Sequence, residues 1–162
     1  MEERKVKLQQ LLTHEKIKAF ITYDTTSIYY MVGERFSMAA MAVTSHGITI
    51  FVDGRYYEIA KKNCNCDVVL YGKENISSFL KKTSNDNSDG SICFDETLTY
   101  EKYKFLQDII DKNKHQLRPI KNPVNTIRMI KDANEISAMK RSADISFMGF
   151  LYIKNRLKEG IT

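Results

Sequence analysis

The chain has 162 residues, 43% of them apolar and 28% charged, with only two prolines and seven glycines. That balance fits a globular domain able to bury its own core, and it excludes disordered and collagen-like classes. The net charge is +5 at pH 7, but its lysines are scattered rather than gathered into a stripe, which argues against a nucleic-acid partner.

The opening residues Met1-Glu2-Glu3-Arg4-Lys5-Val6 lack the apolar run of a signal peptide. No later window approaches the roughly 20 apolar residues of a membrane span. We therefore expect a cytoplasmic protein without a membrane partner. Residues 2–14 read as a helix with Leu8, Leu11 and Leu12 on one side. Ala19–Thr22 is a short strand. Asp24-Thr25-Thr26 offers N-cap residues for a short helix through Ser27–Met31 that Gly33 ends. Ala39–Thr44 and Ile48–Val52 flank Ser45-His46-Gly47 as a hairpin. Asp53-Gly54-Arg55-Tyr56 turns the chain into a helix through Ala60. Cys64-Asn65-Cys66, with Cys93, makes an odd cysteine count at a spacing too tight for a usual disulfide framework or zinc half-site, so free thiols are expected.

Asp67–Tyr71 is a strand, Ile76–Lys82 a helix, and Thr83–Gly90 a polar loop. Within that loop Asn85, Asn87, Asp89, Gly90 and, beyond it, Glu96 have the spacing of a calcium-binding loop. An asparagine at the first position and a strand at Ile92–Asp95 speak against that use. Tyr100–Lys114 is a helix with Tyr103, Leu106, Ile109 and Ile110 in register. Leu117–Ile120 is a poor strand, confined to an edge by Pro119. Alternating strands and helices define an α/β class, and the hairpin makes the sheet, of about six strands, mixed rather than all parallel.

The last element has the clearest local signals. Asp132 and Glu135 form a capping pair, and Ile136, Met139, Ala143, Phe147, Phe150, Ile153 and Leu157 recur at helical steps up to a stop at Gly160. From Asp132 to Lys158 such a helix would be roughly 40 Å long. One small domain does not easily bury that stripe, so we expect a packing partner beyond Thr162. No hydrolytic motif or phosphate-cradling loop is present, and His14, His46 and His115 stand far apart.

Three motifs in order resemble the creatinase/prolidase N-terminal domain. The first is Ile28-Tyr29-Tyr30-Met31-Val32-Gly33, followed by Ala42-Val43-Thr44 and by Ile50-Phe51-Val52-Asp53-Gly54-Arg55-Tyr56 with Ala60. It is similar to the family's Tyr-Leu-Thr-Gly-Phe, hairpin and Asp-x-Arg-Tyr. The second is Ile127-Arg128-Met129-Ile130-Lys131 with Glu135-Ile136 and Ala143, which resembles the family's Arg-x-Ile-Lys-x-x-x-Glu-Ile hinge. The third is Glu159-Gly160-Ile161-Thr162, which resembles the Gly-x-Thr opening its second domain.

The resemblance implies a mixed sheet with helices on both faces, ribonuclease H-like, over residues 1–122. It implies a hinge and linker helix over 123–162, with Arg128, Lys131 and Glu135 in the hinge, leading into a C-terminal catalytic domain absent from this chain. That domain would hold two divalent metals (Mn, Co or Zn), which activate water in the family's Xaa-Pro aminopeptidases and prolidases. No metal ligand and no catalytic residue is expected within residues 1–162, so the segment alone is expected to be inactive. The implied partners are its own catalytic domain, a second copy in a homodimer, and proline-containing peptides.

In such an enzyme the first domain supports dimerisation and lends pocket walls. The candidates here are Tyr30, Glu34, Arg35 and Phe36, since an arginine and an aromatic on one loop suit a substrate carboxylate and a pocket wall. Glu34 stands where the family has Phe, and Val32 where it has Thr. Gly33, Asp53, Gly54, Arg55 and Tyr56 form the structural motif, with Arg55 read as a salt bridge or cap rather than a catalytic group. Two alternatives stay open: a peptide- or histone-binding module of a catalytically degenerate relative, and a creatinase-type amidinohydrolase.

Overall fold

The structure is a computed structural model that describes residues 2–85, 90–111 and 117–160. In chain order the described elements are α1 (Glu2–His14), β1 (Ile17–Thr22), α2 (Thr25–Val32), β2 (Ala39–Thr44), β3 (Gly47–Val52), α3 (Gly54–Asn63), β4 (Asp67–Leu70), α4 (Lys73–Asn85), β5 (Ser91–Asp95), α5 (Tyr100–Asp111), β6 (Leu117–Ile120), α6 (Pro123–Met129) and α7 (Ala133–Lys154). The six described strands form one sheet in the order β4-β3-β2-β1-β5-β6. β2 runs antiparallel to both its neighbours, while β1–β5, β3–β4 and β5–β6 are parallel. The sheet is therefore mixed, as the hairpin requires, and Pro119 sits on an edge strand where its missing N–H costs no ladder bond.

Period-two alternation sorts the strands between two cores. Phe20, Met41, Val43, Ile50 and Val52 face Leu8 and Leu12 of α1, Ile28 and Met31 of α2, Ala60 of α3 and Val124 of α6. The intervening Ala19, Ile21, Ala42, Phe51 and Ile92 face Ile76 and Leu80 of α4 and Leu106 and Ile110 of α5. Buried on both faces, the central strands read as continuous apolar runs instead of alternating ones.

The chain divides into two compact units, Met1–Ile127 and Arg128–Thr162. In the second, Asp132 accepts from the Glu135 N–H and Glu135 accepts from the Asp132 N–H, both at 2.8 Å, so the capping box closes as the spacing predicts. One expectation needs correction. The helix ends at Lys154, with Asn155 as its cap, rather than running to Gly160. There the Arg156 N–H bonds back only three residues, to Ile153, and tightens the final turn. Pro123, favoured at a first helical position, opens the short helix α6. The loop with calcium-site spacing lies mostly outside the described residues.

Candidate functional site

The loop between α2 and β2 is built by the caps around it. Asp24 accepts from the backbone of Thr26 and Ser27 and from the Ser27 hydroxyl at 2.6 Å, which starts α2. Gly33 ends it with φ of 82°, and its N–H donates to the Tyr29 carbonyl at 2.8 Å. That left-handed conformation is one a side chain rarely adopts, so a glycine here sets the exit direction of Glu34–Met38.

The loop sends its side chains to different places. The Arg35 guanidinium lies 4.6 Å from the centre of the Tyr29 ring, within cation–π range. Phe36 is buried and meets Tyr56 of α3 edge-to-face, with centroids 5.5 Å apart at 71°. The Tyr56 hydroxyl is 3.1 Å from Ser37 Oγ, which ties the loop to α3 a second time. Together Thr25, Thr26, Tyr29, Arg35 and Phe36 line a depression of about 190 Å³. Arg35 and Phe36 of the four pocket candidates meet there, but Tyr30 and Glu34 do not line it. Arg4 covers the Tyr30 ring at 4.1 Å and donates to the Tyr30 carbonyl. Glu34 accepts from Asn63 Nδ2 at the end of α3, at 2.6 Å. Tyr29, which sequence reasoning passed over as a candidate, stands beside Arg35, while its helical neighbour Tyr30, about 100° further round α2, meets Arg4.

Asp53 caps α3 through the Arg55 N–H at 2.9 Å and holds the Arg55 guanidinium through Nε and Nη2 at 3.2 and 2.7 Å. Arg55 in turn keeps the Asp53 carboxyl below the usual carboxylate range, chiefly through that side-chain bond. This pair is a cap and a local salt bridge. Of the residues expected to form a hinge, Lys131 donates to the Met129 carbonyl at 3.2 Å, and Glu135 completes the capping box.

A buried polar cluster went unread in the sequence. Asp95 Oδ2, at the end of β5, accepts from Thr22 Oγ1 at 3.1 Å and from Asn122 Nδ2 at 2.6 Å. Asn122 Nδ2 also donates to Ser27 Oγ, while Asn122 Oδ1 accepts from the Val124 N–H and caps α6. The Asn122 amide thus joins the end of β5 to the starts of α2 and α6, and Asp95 carries the link on to Thr22 at the end of β1. Among the described residues no three His, Cys, Asp or Glu side chains converge on a possible metal site.

The profile of the creatinase/prolidase N-terminal domain matches residues 4–130, and the chain belongs to that family. Its sheet and helices superpose on a Xaa-Pro dipeptidase from Bacillus anthracis with a TM-score of 0.86, at 20% identity, covering 99% of this chain and 45% of that one. An X-Pro aminopeptidase from Thermotoga maritima gives 0.76 at 24% identity, covering 97% and 44%. The N-terminal domain of the cytoplasmic peptidase PepQ from Mycobacterium tuberculosis gives 0.66 at 18%, covering 76% of this chain and 97% of that one. No curated protein sequence matches the chain. The chain therefore spans less than half the length of the two full-length peptidases. At these identities the likeness is one of fold. None of the described helices is long and apolar enough to cross a membrane.

Proposed function

We propose that this chain is the N-terminal, non-catalytic part of a metal-dependent Xaa-Pro peptidase, an aminopeptidase P or a prolidase. Residues 1–122 serve as the sheet domain, and residues 123–162 as the hinge and linker helix into a catalytic domain that holds the metals. The sheet domain supports a homodimer and supplies part of a substrate-pocket wall. The family membership and the peptidase folds it superposes on support this reading.

The observation that carries the pocket role is Arg35, exposed on its loop and stacked over Tyr29 at the mouth of a depression backed by buried Phe36. A guanidinium oriented by an aromatic face has fewer rotamers to lose when it meets a carboxylate, and its planar fork suits two oxygens. Its own chemistry is to bind and orient the peptide, not to move a proton.

The test is Arg35→Ala in the full-length enzyme, assayed on Xaa-Pro substrates with Mn²⁺. A lost charge-assisted contact of about 1.5–3 kcal/mol would lower kcat/KM by roughly 10- to 150-fold. An unchanged kcat/KM removes Arg35 from the pocket. Residues 1–162 alone are expected to cleave no Xaa-Pro peptide in the same buffer, and turnover by that segment would overturn the non-catalytic reading.

A further inference from the structure

The segment between Gly33 and β2 is fastened to α3 on both sides of Arg35. Before it, Glu34 accepts from Nδ2 of Asn63, the last residue of α3, at 2.6 Å. After it, Phe36 packs edge-to-face on Tyr56 with centroids 5.5 Å apart, and Ser37 Oγ stands 3.1 Å from the Tyr56 hydroxyl. Tyr56 lies in the first turn of α3, so the two attachments fall at opposite ends of one helix. Arg35, between them, turns instead to α2, where its guanidinium lies 4.6 Å from the centre of the Tyr29 ring.

The two attachments are unequal. The Glu34–Asn63 bond is exposed, so water competes for both partners and its net worth is small. Phe36 is 6% exposed and belongs to the core on that face of the sheet, and Tyr56 packs against the same cluster. A ring pair seated on a packed core resists displacement more than a surface bond does. Local chemistry also places Tyr56. Asp53 caps α3 through the Arg55 N–H, the Tyr56 N–H donates to the Asp53 carbonyl at 3.0 Å, and the Arg55 guanidinium lies 5.4 Å from the centre of the Tyr56 ring. The motif Asp53–Tyr56 therefore reaches the loop. The cap sets the start of α3, the start of α3 sets Tyr56, and Tyr56 holds the residue next to Arg35.

We propose that Tyr56 is a positioning residue for the substrate carboxylate, acting through Phe36 on Arg35, which rests on Arg35 being the carboxylate contact as proposed above. A guanidinium fork must be held within about 0.5 Å of its productive place to make a paired bond. Tyr29 orients that fork from one side but does not hold the backbone that carries it. Phe36, the next residue along, holds the backbone, and Tyr56 holds Phe36.

The experiment is a double-mutant cycle in the full-length enzyme, with Arg35→Ala, Tyr56→Leu and the two together, assayed on a Xaa-Pro substrate with a free carboxylate. Tyr56→Leu should lower kcat/KM by about 5- to 10-fold, mainly through KM, since a displaced guanidinium loses part of what Arg35→Ala loses whole. In the Arg35→Ala background the same change should cost less than about twofold, because no guanidinium is left to place. Tyr56→Phe keeps the ring pair and should hold kcat/KM within about twofold of the native enzyme. Should Tyr56→Leu not fold, Tyr56→Met removes the ring at similar volume and takes its place in the cycle. Two results overturn the positioning role and leave the Arg35 contact standing: a Tyr56→Leu loss that adds in full to that of Arg35→Ala, or an unchanged kcat/KM in Tyr56→Leu beside a large loss in Arg35→Ala. No loss in Arg35→Ala removes the contact itself, and the positioning role with it.

Discussion

The two units of this chain use similar apolar periodicity to opposite ends. In the unit Met1–Ile127 the apolar stripes of α1, α4 and α5 close onto the sheet, and residues such as Phe20, Leu80 and Leu106 are fully buried. In the unit Arg128–Thr162, α7 has no buried residue, and Phe147, Phe150 and Ile153 remain largely exposed. The first unit is therefore held by burial, while the second rests on local terms: a capping box, helix propensity and 22 residues of length. A periodic stripe marks a face able to be buried. It does not say what buries it.

The largest expected contrast is between two phenylalanines. Phe20→Ala in β1 should destabilise the first unit by about 3–5 kcal/mol, seen as a lower urea midpoint, because it empties a packed site. Phe147→Ala, at a residue 61% exposed, should shift that midpoint by no more than about 0.5 kcal/mol. Equal losses would show that α7 is buried in solution and would end the comparison. Next is Asn122→Ala. It leaves Asp95, Ser27 and the Val124 N–H each short of a partner inside the core, and should cost about 2–3 kcal/mol by the same measurement. A loss as small as that of a surface residue would mean water replaces the amide.

Asp132→Ala sharpens the contrast from the other side. It should reduce α7 helicity by circular dichroism at a cost of about 1 kcal/mol, while leaving the urea midpoint of the first unit in place. A matching fall in that midpoint would mean the two units unfold together. The smallest effect concerns the thiols. Burial, helped by the neighbouring Cys64, pushes the Cys66 thiol up to about 12. A raised folded value means the neutral thiol's contribution is intact below the ordinary cysteine range and is lost as pH rises toward the folded value. Iodoacetamide at pH 8 should therefore label folded Cys66 more slowly than the unfolded chain, and labelling at the unfolded rate would refute that environment.

What could be read along the chain and what could not differ by the distance over which each contact closes. The caps at Asp24, Asp53 and Asp132, the hairpin through Ser45-His46 and the edge position of Pro119 all follow from residues within a few positions of one another. The family motifs are of that kind too, and they led to the membership that the profile match shows. Arg35 and Phe36 were legible as a charged and an aromatic residue on a loop. Their separation from Tyr30 and Glu34 was not, because Arg4 and Asn63 reach those two from other helices. The link from Asp95 to Asn122 spans 27 residues, and that from Lys18 to Ser84 spans 66.

The amino-acid sequence by itself determined the α/β class, the mixed sheet and the long final helix. These rest on periodicity, caps and turn residues, whose energies are local. Only the tertiary structure decided which polar side chains meet. Lys18 at a β-bulge meets Gly90 beside it and reaches the Ser84 carbonyl, 66 residues away, because the sheet brings β1, β5 and α4 to the same end. No local pattern encodes that meeting, since loop closure over such distances is rewarded only once the whole sheet has formed.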